Sequence, residues 1–307
     1  MSVHQPQEAG QRPSWVDDEL LPFTSRFIEL HGNSVHYLDE GSGPVLLMLH
    51  GNPTWSFVYR QAIATLSDRF RCIAPDLPGF GLSTAAPGYG HLPAEHAQVI
   101  AALMRRLELS EVTLVLQDWG GPIGLHAAQA EPDRVRALVI GNTWGWPVNG
   151  DIHFEMFSRM MGGAVGAELI RRVNLFVNVM IPAGHRRRKL SSAEMQHYRL
   201  ALPTRERRQA SAIFPRQILR GRAFLQEVQD GMDALARLPA LIVWADADVA
   251  FREKERLRWE QTFPHHSTVV LAGAGHYLQS DAPEEFSDAI ARWRLALADA
   301  PEGQLAR

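Results

Sequence analysis

Asp118 stands where a tight turn follows an apolar strand. Val112-Thr113-Leu114-Val115-Leu116 runs into Gln117-Asp118-Trp119-Gly120-Gly121, and Pro122-Ile123-Gly124-Leu125-His126-Ala127-Ala128 runs out of it as a helix. Strand, glycine turn and helix in succession form an elbow that lifts one side chain above the carboxyl edge of a sheet. That apex usually carries serine; here it carries a carboxylate. With an ordinary pKa of about 3.9 the group is ionised at neutral pH and attacks without a general base. The plainer alternative is a strand-end aspartate that caps the following helix.

An apex nucleophile is completed by a base, and the base by a group that orients it. In sheets of this kind the chain order is nucleophile, acid, histidine. Gly273-Ala274-Gly275-His276 follows the last apolar strand, the place for the histidine, whereas His265 and His266 precede that strand at the opposite edge. The strand ending near Ile140 is followed by Gly141-Asn142-Thr143-Trp144, without a carboxylate. The strand ending near Trp244 is followed by Ala245-Asp246-Ala247-Asp248. Asp248, one step further out, is the preferred partner of His276; Asp246 is expected to bond loop backbone. Two backbone N–H groups should form an oxyanion hole, those of Trp119 and of Asn52 in His50-Gly51-Asn52-Pro53. His50 is read as a structural hydrogen bonder.

A carboxylate in this position can displace a leaving group from saturated carbon and become an alkyl ester. His276 then takes a proton from water, hydroxide attacks the ester carbonyl, and the two N–H groups hold the oxyanion. Two leaving groups suit the site. An epoxide oxygen needs an acid, usually a pair of tyrosines in a lid. Of the 5 tyrosines, only Tyr198 lies in the segment expected to form one. A halide needs N–H donors in a dry pocket. The Trp119 indole, which donates and cannot accept, and the Asn52 amide lie beside the apex. Their plainer readings are a wall residue and a turn residue.

These residues need a sheet to position them. Arg26–Leu30 and Val35–Leu38 alternate around His31-Gly32-Asn33-Ser34 and read as a hairpin. The apolar run at 45–49 reads as a strand buried on both faces, and 71–74, 112–116, 135–140, 241–244 and 268–271 read as further strands. Helical patterns near 56–67, 94–108, 119–130, 250–262 and 284–297 alternate with them. The class is therefore α/β, with a mostly parallel eight-stranded sheet, an antiparallel edge and helices on both faces. Alternation fails once, between Trp144 and Phe214. There Phe154, Met156, Phe157, Met160, Met161, Leu175, Phe176, Val179 and Met180 suggest an inserted helical cap. Most of these should pack helix on helix, and a minority should face a pocket. The division is a core of 1–143 and 215–307 and a cap of 144–214. His185-Arg186-Arg187-Arg188-Lys189 is expected to be a solvated turn.

Composition excludes several classes. The chain of 307 residues has a formal net charge of -3, which offers no field for nucleic acid. The 1 cysteine, Cys72, cannot form an internal disulfide and reads as a core residue. The first 25 residues are polar, read as a loose arm, and contain no leader-like apolar run. No stretch reaches the roughly 18 apolar residues of a membrane span. A soluble, cytoplasmic protein without metal or cofactor, contacting neither nucleic acid nor membrane, is the expectation.

With those residues in hand the chain resembles a haloalkane dehalogenase of the α/β-hydrolase superfamily. The matching stretches are His50-Gly51-Asn52-Pro53-Thr54-Trp55, Asp76-Leu77-Pro78-Gly79-Phe80-Gly81, Gln117-Asp118-Trp119-Gly120-Gly121, Phe214-Pro215-Arg216 and Gly275-His276-Tyr277. The resemblance implies a haloalkane substrate, water and a halide ion as partners. It maps the nucleophile onto Asp118, the base onto His276 and the halide donors onto Asn52 and Trp119. Pro215 is similar to a proline lining the halide pocket. The missing carboxylate at Asn142 fits a subgroup whose acid is Asp248 and whose halide donors are Asn and Trp. Epoxide hydrolysis and a non-catalytic ligand-binding module are the alternatives. Leu116 departs from the small residue usual two places before the nucleophile.

Overall fold

The computed structural model describes residues 10–299. Arg26–Leu30 (β1) and Asn33–Glu40 (β2) form the hairpin, followed by Val45–Leu49 (β3), Arg71–Pro75 (β4), Val112–Gln117 (β5), Val135–Gly141 (β6), Ala240–Ala245 (β7) and His266–Leu271 (β8). One sheet contains all of them in the order β1-β2-β4-β3-β5-β6-β7-β8. β2 is antiparallel to β1 and β4, and every later pairing is parallel. β5, the strand that leads to Asp118, lies inside the sheet between β3 and β6. This is the eight-stranded α/β architecture expected.

Period-two alternation divides the two faces. Leu46 and Met48 of β3 join Val115, Val139 and Val243 on one face, against Ala62 and Ile63 of Arg60–Leu66 (α1) and Phe286 and Ile290 of Pro283–Asp299 (α13). Leu47 and Leu49 join Leu114, Leu116, Leu138 and Ile242 on the other. That face is covered by Pro93–Arg106 (α2), Gly120–Ala130 (α3) and Glu253–Thr262 (α11). Cys72 is buried in the core as a free thiol.

Between β6 and β7 come Ile152–Gly162 (α4), Ala164–Val173 (α5), Ile181–Gly184 (α6), Ser192–Ala201 (α7) and Gln209–Arg220 (α8). Arg222–Asp230 (α9), Met232–Leu235 (α10) and Leu278–Asp281 (α12) complete the helices among the described residues. The sequence reading missed α9, whose Phe224 ring lies 5.1 Å from His126 of α3. A proline inside a helix removes a donor and usually ends it. Yet α8 runs through Pro215.

Two expectations change. Of the arm, residues 1–9 lie outside the described residues, but the rest is docked rather than loose. Val16 and Leu21 are buried, Arg12 donates to the carbonyls of Leu21 and Phe23, and the Asp17 N–H donates to His197 of α7. The basic turn is not simply solvated either. His185 is buried against Tyr277, and the backbone N–H groups of Arg186, Arg187 and Arg188 all donate to the Asp281 carboxylate. No described helix is long and apolar enough to cross a membrane.

Glu194 joins α7 to α1. It pairs with Arg60, both side chains nearly buried, and with Arg188 at 2.6 Å. Burial would raise the carboxyl, but hydrogen bonds from Arg188 and the Ser191 N–H and the charge of Arg60 hold it down to about 2. A folded-state value below the ordinary 4.5 stabilises the fold above that pH and is lost as pH falls toward 2. Glu194→Gln should therefore lower the unfolding temperature at pH 7, and its difference from the parent should vanish by about pH 2. A pH-independent difference in calorimetry would contradict this.

Candidate active site

Asp118 sits just past β5 with φ 48°, the left-handed region that non-glycine residues rarely enter. Neighbouring bonds fix it there. Its N–H donates to Asn142 O at 3.1 Å, and its carbonyl accepts from Gly121 N at 3.0 Å and from Thr143 Oγ1 at 2.5 Å. The loop after β3 comes so close that a Cβ on Gly51 would lie 2.2 Å from Asp118 Oδ1. The bulky Leu116 is accommodated by Gly124, where a Cβ would lie 2.5 Å from Leu116 Cδ2. The elbow thus keeps its shape by moving the missing volume from strand to helix.

The Asp118 carboxylate accepts from the Asn52 N–H at 2.8 Å and from the Trp119 N–H. These are the two backbone donors expected from the sequence. Asp118 Oδ2 lies 3.8 Å from His276 Nε2. On the far side of the ring, His276 Nδ1 donates to Asp248 Oδ2 at 2.9 Å. Asp248 is itself fixed: Asn142 Nδ2 donates to Oδ2 at 2.9 Å, and the Ala250 N–H to Oδ1 at 2.7 Å. Asp246 takes the Gly273 N–H at 2.5 Å, the loop role expected of it. His50 accepts the Leu77 N–H at 2.9 Å, also as expected.

Burial pushes the Asp118 carboxyl up, against His276 and the two N–H donors, which pull it down. Burial would lower the His276 ring, but the charge and hydrogen bond of Asp248, then the charge of Asp118, raise it overall. A raised histidine acts as a base only above its shifted value, so its basic form is lost at a higher pH than for a free imidazole.

A cavity of about 240 Å³ opens above these groups. Its walls include Asn52, Asp118, Trp119, Pro215 and His276, with Phe154 and Phe157 of α4, Phe176, Met180, Ile218 and Phe251. A wide π-type turn over Phe176–Met180 carries two of them. Met161 packs between helices as expected, but Met156, Met160 and Val179 neither pack nor line the cavity. Trp119 meets Trp144 edge-on at 4.7 Å and Phe214 at 4.9 Å, which fixes its ring. Among the described residues its indole N–H has no protein acceptor. Tyr198, the tyrosine of the inserted segment, is buried away from the lining, whereas Tyr277 of the core is part of it.

Pro215 does more than line the wall. Lacking an N–H, it leaves the carbonyl four residues earlier, Ser211, without its helical partner. That carbonyl accepts from Asn52 Nδ2 at 3.3 Å. The proline in the helix therefore supplies the acceptor that holds the Asn52 side chain.

Two residues escaped the sequence reading. Asn142, passed over for lacking a carboxylate, joins β6 to β7 through Ala245 N and O and orients Asp248. Gln117 is buried beside Asp118, and its Nε2 lies 3.1 Å from His276 Nε2 and 3.2 Å from His276 O. An amide donor on that ring nitrogen favours the neutral tautomer whose proton is on Nδ1. The only sequence signal was their position, one at each strand end flanking the elbow.

A profile of the α/β-hydrolase fold family matches residues 44–283, so the chain is an α/β-hydrolase. Over 276 residues it is 45% identical to haloalkane dehalogenase 2 of Mycobacterium tuberculosis, covering 89% of this chain and 96% of that protein. It is 31% identical over 278 residues to the cis-3-alkyl-4-alkyloxetan-2-one decarboxylase of Shewanella oneidensis, covering 87% of each. The solved structure of haloalkane dehalogenase DbeA from Bradyrhizobium elkani matches with a TM-score of 0.83 at 28% identity, over 91% of this chain and 100% of that one. The chain belongs to the haloalkane dehalogenase family.

Removing the Asn142 amide strands the Ala245 N–H and C=O and frees Asp248. Asn142→Ala should cost about 1–3 kcal/mol in urea unfolding, the range for buried polar groups left unpaired. A loss below a few tenths would mean that water replaces the amide.

Proposed function

We propose that this protein hydrolyses carbon–halogen bonds of haloalkanes to alcohol, halide and a proton through an alkyl ester on Asp118. The observation that carries the proposal is a carboxylate, rather than a hydroxyl, at the elbow of a cavity walled mostly by aromatic and aliphatic side chains. Asp118 Oδ2, free of the Asn52 donor, attacks carbon as the carbon–halogen bond breaks. The Trp119 indole N–H and the second Asn52 amide hydrogen receive the halide, the Asn/Trp pairing of donors.

Esterification removes the Asp118 charge. With it goes one of the influences that raise His276, which shifts the ring toward its basic form for the second step. His276 Nε2, oriented by Asp248, takes a proton from water, and hydroxide attacks Cγ of the ester. The Asn52 and Trp119 N–H groups hold the oxyanion, a contribution of about 3 kcal/mol per donor in comparable sites. Collapse expels the alkoxide, which leaves protonated as the alcohol. Asp118 is ionised again and the remaining proton departs from His276. Gln117 acts as a positioning residue, holding the Nδ1–H tautomer until water takes over Nε2.

The residues also support a cap over 144–220. We place its end at the end of α8 rather than at 214/215, because α8 continues through Pro215 and packs on α4. Cytoplasmic action fits the 1 cysteine. An epoxide hydrolase would need an acid for the oxygen, and Tyr277 is the one tyrosine among the lining residues.

Incubating His276→Phe with 1-bromobutane should leave a butyl group on the peptide containing Asp118, seen by mass spectrometry, while Asp118→Ala should release no bromide. Turnover of styrene oxide or a dialkyl oxetanone without bromide release would sink the haloalkane assignment. In Pro215→Ala the restored N–H should recapture the Ser211 carbonyl and release Asn52. Bromide quenching of tryptophan fluorescence should then weaken several-fold, about 1 kcal/mol for one hydrogen bond, while the unfolding temperature holds or rises. Unchanged bromide affinity would remove Pro215 from the halide site.

A further inference from the structure

The outer face of the helices above the cavity carries an apolar surface that internal packing does not explain. Ile152, Met156 and Met160 recur every four residues on α4, and Val165, Leu169 and Val173 do so on α5. All six are between 43% and 76% exposed. A spacing of four stacks side chains into one stripe on a helix. The opposite faces are already used: Phe154 and Ser158 of α4, and Ala167 and Ile170 of α5, are buried. Exposed Val179 adjoins cavity-lining Met180, and exposed Val249 is itself part of the lining. Single exposed apolar residues are ordinary, but paired stripes beside a pocket mark an interaction surface.

Charge indicates what covers it. Residues 144–220 contain 13 arginines and lysines against 5 aspartates and glutamates, whereas the whole chain has 31 against 34. The positive excess is therefore concentrated above the cavity of an otherwise acidic protein. Beside the stripes, Arg171, Arg172 and Arg205 all share Glu168, and Arg159 pairs with Glu155. Arg199 bonds the neutral Asn178 side chain. Glu206 lies beside Arg205, so five guanidinium groups face three carboxylates.

We propose that this face docks on the surface of an anionic lipid bilayer. The six apolar side chains enter the headgroup boundary and the arginines meet lipid phosphates. Buried apolar area and attraction to anionic lipid are the two contributions that hold an amphipathic surface at a membrane. A face-to-face contact with a second copy would bring two positive surfaces together, which electrostatics opposes. The proposal does not depend on the haloalkane reading. It revises the expectation of no membrane contact, which rested on the lack of a spanning helix. α4 presents Phe154 and Phe157 to the cavity and Met156 and Met160 outward, so an apolar substrate dissolved in lipid meets the cavity without first crossing bulk water.

The test is sedimentation of the full chain with vesicles of equal parts phosphatidylglycerol and phosphatidylcholine, and with phosphatidylcholine vesicles alone. The parent should bind the anionic vesicles about tenfold more tightly, and less so in high salt. A variant carrying Met156→Ser, Met160→Ser, Val165→Ser and Leu169→Ser should lose about tenfold in that affinity while keeping its unfolding temperature. A second variant, Arg172→Gln with Arg205→Gln, should lose the preference for anionic lipid even if the first misfolds. Absence of binding by the parent, or equal binding by both variants, overturns the proposal. So does a parent dimer in light scattering that the serine variant converts to monomer, which would make a second copy the occupant.

Discussion

The arrangement depends on one backbone constraint, the left-handed turn at Asp118. Only there can a side chain leave the end of β5 while its carboxylate receives N–H groups from two loops at once. The turn is costly for a residue with a Cβ, and the bonds to Asn142, Gly121 and Thr143 offset that cost. Parallel pairing of β3, β5 and β6 brings the contributing loops to the same edge. The same constraint explains why bare approach matters more than chemistry at Gly51: any side chain there would occupy the space of the carboxylate.

Around this point the polar groups form a chain. Asn142 holds Asp248, Asp248 holds His276, and His276 faces Asp118. Each member lies at the carboxyl end of a different strand or in the loop beyond it. Movement of one strand would be felt along the series, which favours a rigid sheet beneath a site that must keep four side chains in register. The residues above the cavity contribute differently. They supply apolar walls and, through the carbonyl that Pro215 leaves open, one anchor for Asn52.

Much of this was legible in the sequence because the signals are local. Alternation marked the opening hairpin, apolar runs marked the parallel strands, and glycine spacing marked the elbow and the His276 loop. The preference for Asp248 over Asp246 followed from how far each projects past β7. What was not legible depends on contacts between distant segments. The basic turn at 185–189 looked solvated because its charges suggest water, but its backbone, not its side chains, makes the decisive bonds. The end of the inserted segment was read at 214/215, and only the structure shows a helix running through Pro215 with its open Ser211 carbonyl taken by Asn52. Gln117 carried no signal beyond adjacency, since its role depends on where His276 returns 159 positions later.

Asp281 deserves a last consequence. Its carboxylate accepts from the N–H groups of Arg186, Arg187 and Arg188 and also from the Gly275 N–H, the residue before His276. One buried carboxylate therefore ties the turn above the cavity to the loop that carries His276. The shape of the turn and the placement of His276 are inherited together in this architecture. A lineage that lengthens the 185–189 turn to admit a larger molecule also re-aims its histidine, so changes of access and changes of rate should arise as linked traits rather than separate ones.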